Sequence, residues 1–252
     1  MAWWIAEETT GLSRSQILSG CKGTTNFPNV QTIIARLLHF EPIQYVFGHT
    51  LWCGLDLKVT PATLIPRPET GELVEKLSAV SHQPSDSFLR VLDIGTGSGC
   101  IAIALKKKHP EWEVTGVDVS EEAIEVAKEN AVRNEADVKF QKMDIFSDEI
   151  ERIGTFDVVV SNPPYICEKE KAGMRRNVLD FEPETALFVP DDDPLKFYRR
   201  IASLHLGSRL FFEINEAYSQ ELAALLEELG YTDISITNDI YGKPRIIEGR
   251  MA

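Results

Sequence analysis

The chain has 252 residues, 43% of them hydrophobic, and a net charge of −13, which suits one large domain, or one domain with a smaller companion. Its apolar runs are strand-sized, so none could span a bilayer, and the start "MAWWIAEETTGLSR" lacks the basic-then-apolar order of a secretion signal. The acidic balance weighs against nucleic acid as the main partner, because phosphate contacts dominate such binding and call for a basic face.

Residues 1 to about 40 read as short helices. "LSRSQIL" offers Ser13 as a cap, and "NVQTIIARLLHF" spaces Val30, Ile33, Ile34, Leu37 and Leu38 as a helix does. Residues 44 to 59 look like a β-hairpin or short ribbon, "PATLIPRPET" a loop, and "PETGELVEKLSAV" the start of a helix. "SHQPSDS", residues 81 to 87, reads as a linker. Strand-like runs follow: "LRVLDI", "WEVTGVDV", "VKFQKM", "FDVVVS", "SRLFFEI", "YTDISIT" and "PRIIEG". Helical runs lie between most of them, "SGCIAIALKKK", "EEAIEVAKENAVRN", "DPLKFYRRIASLH" and "SQELAALLEELG". The compact basic cluster, Lys106 to His109, ends the first of these helices, where cations complement the dipole. Alternation of this kind predicts a parallel sheet with helices on both faces. The short turn "NDIYGK" allows only an antiparallel pairing of the last two strands. Seven strands with the last antiparallel resembles the class I methyltransferase variant of the doubly wound, Rossmann-like α/β fold.

Cys21, Cys53, Cys100 and Cys167 are scattered and read as reduced thiols of a cytoplasmic protein. His39, His49, His82, His109 and His205 have no metal-ligand spacing, so no metal is expected.

"VLDIGTGSGC" sets Gly95, Thr96, Gly97, Ser98 and Gly99 between the first strand and a helix. Glycines there permit a tight turn and close approach of a ligand, and the helix N-terminus favours an anion. Nicotinamide and flavin enzymes use similar loops, and a tight turn with no ligand is the plain alternative. The G-x-G-x-G spacing and the preceding Asp93 look like the glycine loops of S-adenosylmethionine enzymes. Asp118, about 20 residues on at the end of the second strand, can accept hydrogen bonds from two ribose hydroxyls. It could instead cap the next helix, although Ser120 is better placed for that. Asp144 lies on the same strand-end edge, able to accept from an adenine amine or to form an Asx turn. Ile145 could cover the ring.

The fourth strand delivers Asn162, Pro163, Pro164 and Tyr165. Two prolines remove two N–H donors and fix φ. The Asn162 side-chain oxygen and the Pro163 carbonyl could then accept from a planar –NH2 group, with the Tyr165 ring beside it. Such a nitrogen is too weakly acidic to be deprotonated first. Two fixed acceptors favour a tetrahedral nitrogen with a directed lone pair, so catalysis becomes positioning and electrostatics. The alternative is a rigid strand exit with a packed tyrosine.

"NPPY" after the fourth strand is shared by methyltransferases acting on planar amino groups, DNA adenine and protein glutamine alike. The segments "EPIQYVFGHTLWCGLDLKVTPATLIPRPETGELVE", "VLDIGTGSGCIAIAL", "VSNPPYI", "FEPETALF" and "GKPRIIEGR" resemble the HemK/PrmC family over roughly residues 11 to 250. The resemblance implies an enzyme that uses S-adenosyl-L-methionine, leaving S-adenosyl-L-homocysteine, to methylate the glutamine N5 in the Gly-Gly-Gln loop of class I peptide chain release factors. It implies that Gly95 to Gly99 and Asp118 bind the cofactor, joined by Asp144, Ile145 and Asn162. Asn162, Pro163, Pro164 and Tyr165 would hold the substrate. Many members carry Trp where this chain has Ile145. Arg67 to Thr70, "RPET", would border the mouth of the site or simply start a helix.

Three units are expected: 1–42, a helical docking domain that begins inside the family's longer one; 43–83, hairpin and linker helix; and 84–252, the methyltransferase domain. Nothing demands more than a monomer. An adenine-N6 methyltransferase of DNA or RNA and a non-catalytic docking protein are the alternatives.

Overall fold

The computed structural model describes residues 1–23, 30–79 and 88–251. It opens with short helices α1 (Ala2–Thr10), α2 (Arg14–Leu18), α3 (Val30–Leu38) and α4 (Ile43–Phe47). Ser13 caps α2 as expected: its Oγ accepts from the Gln16 N–H while Gln16 Oε1 accepts from the Ser13 N–H. Helix α4 corrects the expectation of a ribbon from residue 44. Pro42 sets the entry with φ −57° and Gly48 closes it in the left-handed region at φ 76°, fencing one helical turn ahead of the hairpin. The hairpin is therefore shorter, β1 (His49–Trp52) and β2 (Leu55–Lys58), paired antiparallel. Its turn residues Cys53 and Gly54 both have positive φ, 48° and 77°, which suits a two-residue hairpin.

Helix α5 (Pro68–Ala79) starts on a proline, whose missing N–H costs nothing at that position. The linker expected at 81–87 lies outside the described residues. After it come β3 (Arg90–Ile94), α6 (Cys100–Lys108), β4 (Glu113–Asp118), α7 (Glu121–Arg133), β5 (Lys139–Lys142), β6 (Phe156–Ser161), β7 (Ile166–Cys167), α8 (Arg176–Leu179), β8 (Phe188–Val189), α9 (Lys196–Ser203), β9 (Gly207–Glu213), α10 (Ser219–Glu228), β10 (Tyr231–Asn238) and β11 (Pro244–Met251).

Seven of these strands form one sheet in the order β10-β11-β9-β6-β3-β4-β5. β11 runs antiparallel to β10 and β9, and the other pairings are parallel. This is the expected doubly wound α/β sheet. The small parallel pair β7 and β8 was not anticipated, because two-residue strands leave no periodicity to read.

Side chains alternate between two cores. Val91, Val158, Val160 and Phe211 face the side of α5, α6 and the hairpin. Leu92, Ile94, Val159 and Phe212 face the side of α9 and α10. Helix α6 is buried from Cys100 to Leu105 and turns polar only at its last-turn lysines. Each large side chain sealed in these layers, such as Leu57 or Leu105, contributes about 2–3 kcal/mol of transfer free energy. Strand order reverses at β3, which has β4 on one side and β6 on the other. Crevices at the carboxyl ends of strands form at such a switch point.

Candidate active site

A cavity of about 470 Å³ opens at that switch point. Gly95, Thr96, Gly97, Ser98, Asp118, Asp144, Ile145, Asn162, Pro163 and Pro164 all line it. Thus most of the residues singled out from the sequence converge on one space. Gly99 and Tyr165 do not line it. A Cβ at Gly99 would lie 3.0 Å from Phe140 and 3.1 Å from Ala127, so that glycine serves packing of the helix start against α7 and β5. The Tyr165 ring turns into the core beside α9 and α10.

The N–H groups of the loop from Gly95 to Gly99 are satisfied mainly by β4. The Gly95 and Thr96 N–H groups donate to the Val117 carbonyl, and Gly99 N–H donates to Thr96 O. Gly97 N–H donates to Asp118 Oδ2 at 2.9 Å. What the loop offers a ligand is therefore bare surface: Gly95 has φ 70° and a Cβ there would meet no atom within 4 Å. Beneath it Asp93 is fully buried and accepts from Thr96 Oγ1 at 2.6 Å. Burial pushes its carboxyl up to about 7, against the pull of Thr96.

Asp118 accepts one N–H on each oxygen, Gly97 on Oδ2 and Ser120 on Oδ1 at 3.0 Å. Burial raises its pKa, and these bonds hold the shift in check. Helix α7 is capped by Ser120, whose Oγ accepts from Ala123 N–H at 3.1 Å, leaving the Asp118 carboxylate turned to the loop and the cavity. Asp144 Oδ1 accepts from Phe146 N–H at 2.8 Å, an Asx turn at the cavity edge. Ile145 has aromatic neighbours that sequence spacing did not mark: Phe146 and Phe197, 5.6 Å apart edge to face, both line the cavity. Arg200 Nε donates to the Ile145 carbonyl at 2.6 Å and holds this rim.

At the proline turn, the Pro163 and Pro164 carbonyls accept no hydrogen bond from a described residue. The Tyr165 carbonyl, by contrast, is taken by Asn215 Nδ2 at 3.1 Å. Asn162 Nδ2 donates to Thr70 Oγ1 at 3.3 Å, and Thr70 Oγ1 donates to Glu213 Oε2 at 2.7 Å. Tyr165 OH donates to the other Glu213 oxygen at 3.1 Å. Thr70 was expected as part of the "RPET" border of the site and does line the cavity, whereas Glu213 was not picked out from the sequence. The available signal was a carboxylate closing the apolar run "RLFFE" at the strand end beside Asn162.

The "RPET" and "FEPET" segments also meet. Glu182, buried at 4% exposure, accepts from Ile65 N–H at 3.1 Å and from Arg67 Nη2 at 2.6 Å. Trp52 Nε1 donates to the Arg67 carbonyl at 2.7 Å. The loop before α5 is thereby pinned as the far wall of the cavity, with Ala62, Thr63, Leu64 and Pro66 lining it. Among the described residues no group of three or more His, Cys, Asp or Glu could hold a metal ion, and no helix is long and apolar enough to cross a membrane.

Comparison with known proteins adds identity to geometry. Residues 73–179 match the family described as methyltransferase small domain. A release factor glutamine methyltransferase of Bacteroides thetaiotaomicron is 47% identical over 241 residues, covering 94% of this chain and 84% of that one. One of the same name from Flavobacterium psychrophilum is 43% identical over 224 residues, 86% of this chain and 78% of its own. Among solved structures, the hMettl16 catalytic domain superposes with a TM-score of 0.63 at 16% identity, covering 99% of this chain and 92% of that one. A methyltransferase from Pyrococcus furiosus gives 0.55 at 21% identity, covering 87% and 98%. At such identities these two likenesses speak for the class I methyltransferase fold alone.

Proposed function

The chain belongs to the release factor glutamine methyltransferase family, and on that footing we propose that it moves a methyl group from S-adenosyl-L-methionine to a glutamine side-chain amide nitrogen of peptide chain release factors. The glutamine is that of the Gly-Gly-Gln loop of class I factors. Support comes from one cavity shared by two kinds of group: a glycine surface with Asp118 for the cofactor, and Asn162 with Pro163 for the amide.

When bound, S-adenosyl-L-methionine supplies an electrophilic methyl on a sulfonium sulfur. Asp118 has lone pairs left on both oxygens to accept from ribose hydroxyls. The bare face of Gly95 and Gly97 admits the ligand closely, and Ile145, Phe146 and Phe197 give the base an apolar wall. Asp144 keeps its second oxygen for the base's amine.

Asn162 Oδ1 and the Pro163 carbonyl accept the two N–H bonds of the substrate amide. Both acceptors are fixed, one by a hydrogen-bonded side chain and one by the two prolines, since the ring locks φ of Pro163 and the following Pro164 keeps its ψ extended. They favour the nitrogen lone pair over its delocalised form and aim it, which is positioning and electrostatics combined. The nitrogen becomes strongly acidic once it carries the methyl and then sheds one proton to water. No base has to remove that proton beforehand. Tyr165 supports the turn from the core side, through Glu213 and Asn215.

The test is methyl transfer from labelled S-adenosyl-L-methionine to a release factor and to its variant with Gly-Gly-Ala in place of Gly-Gly-Gln. Label on the first and not on the second is expected. Equal label on both, or label in DNA and none in protein, overturns the proposal.

A further inference from the structure

Thr70 and Glu213 are buried, at 3% and 1% exposure, and Thr70 stands in the cavity wall. A carboxylate in this place is costly unless every oxygen is matched. The bonds around it form a directed chain. A threonine hydroxyl has a single proton. Thr70 gives that proton to Glu213 Oε2 and has only lone pairs left for Asn162. Only the –NH2 end of the Asn162 amide can then face Thr70, as it does at 3.3 Å. The oxygen end is left as the acceptor on the cavity side.

This matters because an asparagine amide has nearly the same shape both ways round. Turned over, it would present a donor where the substrate –NH2 needs an acceptor. We propose that Thr70 and Glu213 are positioning residues that fix the polarity of Asn162: the carboxylate directs the Thr70 proton, and the Thr70 lone pair directs the amide. The inference rests on the reading of Asn162 as an acceptor for the substrate amide.

The same chain makes the enzyme sensitive to protonation of Glu213. A protonated carboxyl can donate to Thr70, whose own proton then turns toward Asn162 and favours the wrong orientation. The groups facing Glu213 are Thr70 and Glu69 of α5, Cys100 of α6, Tyr165, Tyr198 of α9 and Arg245 of β11. Arg245 is the one cation among them and is itself paired with Asp239 at 3.2 Å. Burial raises the Glu213 pKa, while Thr70, Tyr165 and Arg245 oppose the rise. The turnover rate should therefore fall on the acid side as Glu213 takes up a proton.

The experiment compares Thr70→Val, Thr70→Ser, Glu213→Gln and Asn162→Ala by kcat, KM for a release factor, the pH profile of kcat, and calorimetry with S-adenosyl-L-homocysteine. Thr70→Val keeps the shape and removes both bonds; kcat should drop about tenfold or more, with cofactor binding unchanged. Thr70→Ser restores the hydroxyl and should recover most of that loss. Glu213→Gln can face Thr70 with either end of its amide; it should lower kcat severalfold and abolish the acid limb. A merely structural role would move stability without changing the pH profile, and would make Ser no better than Val. Thr70→Val with kcat within about twofold of the parent, beside an inactive Asn162→Ala, overturns the polarity proposal and leaves the Asn162 reading standing. An active Asn162→Ala overturns both. If Glu213→Gln does not fold, the Ser and Val pair decides, and equal loss in the two overturns the proposal.

Discussion

Asn162 and Asp118 sit at opposite ends of the proposed chemistry, and single substitutions should separate them. Asn162→Ala removes one acceptor for the amide and should cut kcat by about 100-fold or more, the scale found for removal of one preorganised polar group. Its affinity for S-adenosyl-L-homocysteine should stay within about threefold, because the glycine loop and Asp118 are untouched; a large loss of that affinity would mean Asn162 had been misplaced. Asp118→Ala should behave conversely. On the proposed assignment it loses charge-assisted hydrogen bonds to the ribose, worth about 1.5–3 kcal/mol, or roughly 10–100-fold in cofactor affinity. It also frees the Gly97 N–H that now donates to it. Unchanged affinity by calorimetry would contradict the ribose assignment. These residues were readable from local sequence because each stands at a strand end in a motif. Glu213 and its link to Thr70 were not, since 143 positions separate the two and only the fold makes their 2.7 Å bond.

At the level of elements, the hairpin and the glycine loop are coupled through one side chain of α7. Asn130, fully buried, accepts from Lys58 N–H at 2.6 Å and donates to the carbonyls of Lys58 at 3.0 Å and Ser98 at 2.8 Å. Three backbone groups from β2 and the loop thus share one amide. Asn130→Ala leaves them unpaired inside the protein and should destabilise it by about 2–4 kcal/mol. It should also weaken cofactor binding, because Ser98 lies in the cavity wall. A denaturant midpoint equal to that of the parent would show that water replaces the amide at no cost. Nothing in "AKENAVR" distinguishes this asparagine from an exposed helical one. Its role follows from the way α7 packs under β2. The turn before the hairpin was misjudged for a related reason: "QYVF" has β-forming residues, yet Pro42 and Gly48 close it into a helical turn against α3, where Arg36 donates to the Tyr45 and Val46 carbonyls.

Over the whole molecule, buried carboxylates at the strand ends should set the pH dependence of stability. Asp93 has a folded-state pKa of about 7 against an ordinary value of 3.8. Between those pH values the folded chain holds a proton that the unfolded chain has lost, so stability is greatest below the window and falls as pH rises through it. A displacement of that size is worth up to about 4 kcal/mol. Asp118 and Glu213 are shifted in the same direction. The melting temperature is expected to decline from pH 5 to pH 8, and Asp93→Asn should flatten most of that decline. A parent melting temperature that climbs over the same range would refute the account.

The alternation of strand and helix, the antiparallel last pair, and the cavity-edge positions of the glycine loop, Asp118 and the Asn-Pro-Pro turn follow from the amino-acid order alone. These are legible because they depend on periodicity, on proline and glycine geometry and on strand ends, all local properties of the chain. Three-dimensional packing settles which glycine faces open space, that Tyr165 points into the core, and that Thr70, Glu213 and Asn162 form one directed chain of hydrogen bonds. Those depend on groups from distant segments reaching within 3 Å or so of one another, a distance set by packing and not by any short stretch of sequence.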